Sequence, residues 1–243
     1  MMEPKHDETK MNFQVERFIT FSDGVFAIVI TIMVFELKVP EITLPDIPSD
    51  HLLWGKLSKM ALKFFGFFIS YGIVGHYWSV HHRIYGYALK YTTALLWINL
   101  GFLLTVALLP FSSALLGDYS SHTDMQLPYA VYVLNICLVA FMNTWMWIYI
   151  SNPKRDLLTR KISLARIKLG VYRSLVIPII FLISFLVSFL FPVISRFMLL
   201  LIPGILLWGM GGLERRADCD EVIELKKNTE IKKVWEDENK ELA

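Results

Sequence analysis

The feature that most constrains this chain is a series of uninterrupted apolar blocks, each about the length needed to cross a bilayer. A helix spans the roughly 30 Å hydrocarbon core with about 20 mostly apolar residues. Six segments of the sequence meet that requirement: Phe18–Leu37, Ala61–Val80, Thr92–Leu116, Leu127–Ile150, Leu169–Phe191 and Val193–Leu213. In the 243 residues, 55% are hydrophobic and 19% charged, which departs from the soluble average in the direction a membrane protein requires. Lipid offers no hydrogen bonds to an open backbone, so such blocks become helices with all their main-chain bonds internal. The expectation is an all-α membrane protein with six transmembrane helices per subunit. Pro192 stands between the last two blocks and predicts a tight helical hairpin there.

Charge supplies the orientation. With both termini inside, 19 of the 24 Lys and Arg residues fall on the inner side and five outside. The inner loop SNPKRDLLTRKISLARIK contrasts with GDYSSHTDMQ, which has no Lys or Arg. That bias follows the positive-inside rule and places both termini in the cytoplasm, with the plasma membrane as the expected location. The opening MMEPKHDETKMNFQVER is too polar for a signal-peptide core, so the first block is expected to be retained. The chain thus divides into a cytoplasmic N-terminus over 1–17, a six-span unit over 18–213 and a charged cytoplasmic tail over 214–243. A net charge of +2 gives no basic excess for nucleic acid. No phosphate loop, CxxC pair or HExxH occurs, so neither a cofactor nor a metal is expected. Cys137 and Cys219 are too few for a disulfide framework.

Polar residues inside spans are costly, which makes them informative. Asp23 lies two turns into the first block, where its carboxylate must find a donor, take a proton or face water. Arg17 is six residues earlier and falls on another side of the same helix, so Asp23 is expected to find its partners on neighbouring helices. At about 100° per residue, Gly24, Ile28, Thr31, Ile32 and Phe35 share one stripe, whereas Asp23 lies about 140° from Ile28. That stripe could face lipid, protein or a pore, and Asp23 could serve a buried network or ion and proton handling. In the second block His76, His81 and His82 crowd into seven residues. His81 lies about 140° from His76 and His82 about 120° the other way, which disfavours both a metal site and an intramembrane enzyme. His76 is expected as a hydrogen-bond partner for the buried carboxylate. Asn99 in the third block calls for a helix–helix hydrogen bond, and Pro110 frees a carbonyl near the end of that block.

The run Arg17-x-x-x-Phe21-Ser22-Asp23-Gly24 at the head of a first transmembrane helix resembles the signature of the transmembrane protein 175 family. These are lysosomal potassium channels in animals, with shorter bacterial relatives. Ile28-x-x-Thr31, the HYWxxHHR stretch from His76 to Arg83, and Asn99-Leu100 leading to Leu109-Pro110-Phe111 carry the same resemblance. One six-span unit is similar to the bacterial form. The resemblance implies a homotetrameric potassium-selective leak channel, open to other monovalent cations or protons, with the first helix lining a central pore. It implies a hydrophobic constriction in place of a TVGYG filter, which this chain lacks. Carried over by position, Ile28, Thr31, Ile32 and Phe35 are then pore residues. Arg17, Phe21, Ser22, Asp23, His76 and Asn99 become a structural network holding the first helix. The alternative is a proton-coupled secondary transporter that uses Asp23 and His76.

Overall fold

In the computed structural model, residues 4–42, 49–90, 92–119, 125–158 and 162–204 are described. Among them the regular structure is entirely helical: α1 (Pro4–Phe35), α2 (Asp50–Lys59), α3 (Ala61–Tyr85), α4 (Thr93–Ala107), α5 (Leu109–Asp118), α6 (Leu127–Ile150), α7 (Leu164–Ser188), α8 (Pro192–Phe197) and α9 (Leu201–Gly204). Four stretches are long and apolar enough to cross a membrane: Glu16–Phe35, Thr93–Asp118, Leu127–Ile150 and Leu164–Ser188. The pair α2 and α3, bent by 50° at Met60, makes a fifth when taken as one broken span. The expected sixth block, Val193–Leu213, is described only as far as Gly204, as α8, a 3-10 turn (Met198–Leu200) and α9. The charged tail lies outside the described residues.

Local sequence explains the boundaries. Ser49, Thr92 and Ser163 cap α2, α4 and α7, each accepting a hydrogen bond from the backbone N–H three residues on. Ser163 is why α7 begins at Leu164, five residues before its apolar block. The expected span Thr92–Leu116 corresponds to the single stretch Thr93–Asp118, in which the helix is interrupted at Leu108 because Pro110 has no N–H to offer the Val106 carbonyl. After Phe189–Phe191 turns the chain, Pro192 opens α8 and the Ser184 hydroxyl donates to the Ser195 carbonyl, tying α8 to α7.

Helix α6 packs against α4, α5 and α7, and α1 lies on α3, α4 and α5. Tyr77, Phe102, Ile136, Met146 and Phe181 fill the interior. Side-chain hydrogen bonds cross the helix contacts. Asn135 donates to Ser112 at 2.9 Å and Asn143 to Ser174 at 2.7 Å, while Ser70 and Tyr132 meet at 2.7 Å. With apolar contacts favoured equally by lipid, such bonds and close packing hold membrane helices together.

Close packing is tightest at two glycines. A Cβ on Gly170 would stand 2.3 Å from the Trp147 indole nitrogen, which donates to the Ile167 carbonyl at 2.9 Å. A Cβ on Gly101 would meet the end of the Met142 side chain, its methyl at 2.5 Å and its sulfur at 3.9 Å. Gly170→Ala is expected to cost about 1–3 kcal/mol because a rigid, bonded ring must move. Gly101→Ala should cost clearly less, since a flexible methionine end can swing away. Thermal unfolding of the detergent-solubilised variants checks the order.

Candidate functional site

The polar residues of α1 are sorted by helical angle. Ser22 is fully buried with Phe26, Val29 and Met33 on the face that meets α3 and α4. Phe21, one residue earlier, is 56% exposed. The Ser22 hydroxyl donates to the Phe18 carbonyl at 3.1 Å, so its oxygen is left to accept, and the Asn99 amide N–H donates to it at 3.0 Å. That turns Asn99 Oδ1 toward His81 Nε2, 2.8 Å away. An amide oxygen only accepts, so His81 carries its proton on Nε2. A directed chain of hydrogen bonds therefore runs from α3 through α4 to the backbone of α1. The His81 ring lies parallel to Phe102, with centroids 5.6 Å apart, and is flanked by Phe26.

Asp23 is half-buried, and its Oδ1 accepts from the Trp78 indole N–H at 2.9 Å. The expected His76 contact does not form: among the described hydrogen bonds none joins His76 to Asp23 or Asn99. His76 sets its ring edge against Tyr77 instead, with centroids 5.6 Å apart. The reason is angular. Ile73, Val74, Tyr77, His81 and Ile84 recur at helical spacing and form the buried stripe of α3, and His76 is off that stripe. That periodicity was the available signal for His81. His82 is exposed, so the three histidines point three ways. Among the described residues no group of three His, Cys, Asp or Glu could hold a metal. Arg17 is exposed at the start of the membrane-crossing stretch of α1.

The other face of α1 is uncovered. Gly24, Ile28, Thr31, Ile32 and Phe35 are all exposed, Ile28 at 58% and Phe35 at 78%. The Thr31 hydroxyl donates to the Ala27 and Ile28 carbonyls at 3.0 and 2.9 Å, which leaves its oxygen lone pairs available outward. Beside this face runs a groove of about 620 Å³ whose lining includes Ile28 and Ile32 from α1, Glu36 just beyond its end, and Pro110, Phe111 and Asp118 from α5. Asp118 is ion-paired with Lys63 of α3.

Taken together, these features define a multi-pass helical membrane protein whose first helix is bonded to the bundle on one face and bare on the other. Residues 17–110 match the family described as the endosomal/lysosomal potassium channel TMEM175. A potassium channel of Streptomyces collinus is 30% identical over 161 residues, 62% of this chain and 74% of that protein. A potassium channel of Chryseobacterium sp. (strain P1-3) is 36% identical over 128 residues, 53% of this chain, and the chain spans only 60% of its length. The crystal structure of a lysosomal potassium-selective channel TMEM175 homolog from Chamaesiphon minutus superimposes with a TM-score of 0.65 at 23% identity. It covers 84% of this chain and 98% of its own. The chain belongs to the TMEM175 family.

Asn99 is the hinge of the polar chain. Asn99→Leu keeps the volume but strands the Ser22 oxygen and the His81 N–H, and is expected to destabilise by about 1–3 kcal/mol. Trp78→Phe removes one bond to a half-buried carboxylate and should cost about 1 kcal/mol or less. Unfolding temperatures of the two variants in detergent give the comparison; equal losses would contradict it.

Proposed function

We propose that this chain is the subunit of a homotetrameric, potassium-selective leak channel of the plasma membrane. Six spans with both termini in the cytoplasm make the unit over 18–213, flanked by the inner segments 1–17 and 214–243. The observation that carries the reading is the two-sidedness of α1. A helix anchored by Ser22 and bare at Ile28, Thr31, Ile32 and Phe35 has a face to give to a shared axis. Family membership and the potassium channels among the relatives favour the same ion.

The chemistry of such a pore follows from its side chains. A ring of isoleucines cannot coordinate an ion; when narrow it blocks by excluding water, and when wider it passes a partly hydrated one. Potassium releases water more readily than sodium, so incomplete dehydration favours potassium. Thr31 adds oxygen ligands of the right polarity, since its proton is already donated to the main chain. Glu36, at one end of the apolar stripe, raises the local cation concentration. Arg17, Phe21, Ser22, Asp23 and Asn99 act as scaffold, with Trp78 bonded to the Asp23 carboxylate in place of His76 and His81 bonded to Asn99. The proton-coupled transporter reading needs Asp23 and His76 to share a proton path, and the Asp23–Trp78 bond favours the channel over it.

Reconstitution in liposomes under opposed potassium and sodium gradients is the decisive experiment. The wild-type reversal potential should lie toward potassium. Ile28→Asn should raise flux several-fold and bring the potassium-to-sodium preference toward unity. Unchanged selectivity in that variant would sink the pore assignment, and flux that saturates and follows a proton gradient would favour the transporter.

A further inference from the structure

Helix α2 is fixed in place and yet carries no buried residue. Ser49 caps its start, and the Met60 N–H closes its last turn on the Leu57 carbonyl at 3.0 Å. The Lys56 ammonium donates to the Glu41 carbonyl at 2.8 Å, which ties the helix to the stretch leaving α1. At about 100° per residue, Leu53, Leu57 and Met60 share one stripe of α2, with Trp54 along its edge. His51, Gly55 and Lys59 lie on the opposite side and are exposed; Leu52 is the apolar side chain off the stripe. Trp54, the largest side chain of the helix, is 72% exposed.

The position of α2 in the fold says what covers that stripe. The 25 residues of α3 reach about 37 Å at a rise of about 1.5 Å each, beyond the roughly 30 Å core, so α3 crosses the bilayer without α2. Leu62 and Phe68 in the first turns of α3 are exposed apolar side chains, as contact with hydrocarbon requires. Helix α2 ends one residue before this segment, and the 50° bend at Met60 swings it out of the line of α3 toward the membrane plane. A short helix with one polar and one apolar side, held at that level, has the build of a helix lying in the interface. Tryptophan suits the same layer, because its ring is apolar and its N–H finds headgroup oxygens. Ten residues are too few for a stable protein–protein interface, which takes about 20–30 residues a side. We infer that α2 is an interfacial anchor, lying along the membrane surface with Leu53, Trp54 and Leu57 in the boundary between lipid headgroups and acyl chains. Through Lys56 it also holds the chain leaving α1 near that surface. The inference rests on the crossing of the bilayer by α3 and not on ion conduction.

The test uses the full-length protein in phosphatidylcholine vesicles, with Trp54 emission taken as the difference between a protein and its Trp54→Phe counterpart. Trp54 is exposed, so the replacement removes no packing. Lipids brominated close to the headgroup should quench that emission about twofold more than lipids brominated near the chain end, and aqueous iodide should quench it little. Leu57→Gln, on the apolar stripe, should cut the shallow quenching by about half, whereas Lys59→Gln, on the opposite side, should leave it unchanged. Quenching by iodide alone would place the ring in water. Quenching by neither agent would place it against protein, a second copy of the chain included. Strongest quenching by the deep bromines would make α2 part of the span. Each of these results overturns the anchor, and so would equal responses from Leu57→Gln and Lys59→Gln.

Discussion

The hydrogen-bond chain from His81 through Asn99 to Ser22 is the constraint on which the arrangement of α1 depends. Inside a bilayer a buried amide or imidazole has no water to fall back on, so a mismatched rotation leaves donors and acceptors stranded. Dispersion alone would let α1 rotate against α3 and α4 with little penalty, since lipid tails and leucine side chains are equally apolar. The polar chain selects one rotation. Ser22 donates to its own helix and accepts from Asn99, so both of the hydroxyl's roles are used at this contact. Phe26, Phe102 and the His81 ring then close around it.

That rotation decides what the rest of α1 can do. Once Ser22, Phe26, Val29 and Met33 are committed to the bundle, Gly24, Ile28, Thr31, Ile32 and Phe35 must point away from it. The signature residues and the proposed pore residues are thus two consequences of one geometric choice. Asp23 stands at the border between the faces, where its bond to Trp78 holds a carboxylate without requiring full burial.

Much of this could be read directly from the residues. Block lengths gave the membrane-crossing stretches of α1, α4 with α5, α6 and α7, Pro192 marked the turn into α8, and 100° per residue separated the two faces of α1. What escaped was the information carried by partners. His76 was the natural choice by proximity to the apolar part of its block, yet His81 belongs to the stripe with Tyr77 and Ile84, and it is the stripe that faces α4. Hydropathy also misjudged helix ends. A block boundary marks where lipid stops, whereas a helix ends where its backbone finds a cap. Hence α3 continues through His81 and His82 to Tyr85, and α7 starts at the Ser163 cap. The interruption at Leu108 follows from Pro110 two residues on, whatever the hydropathy.

Helix α3 links the anchor of α1 to the far end of the bundle. Its buried stripe carries His81 into the bond that orients α1, while Val80, Arg83 and Ile84 in the same turns form a wall of a cavity against α6 and α7. These residues lie within five positions, so they move as one rigid segment. The hydrogen bond from His81 to Asn99 thus depends on where this end of α3 is held, since hydrogen bonds weaken steeply with misalignment. The anchoring of α1 is therefore a property of the α3 terminus as much as of α1 itself.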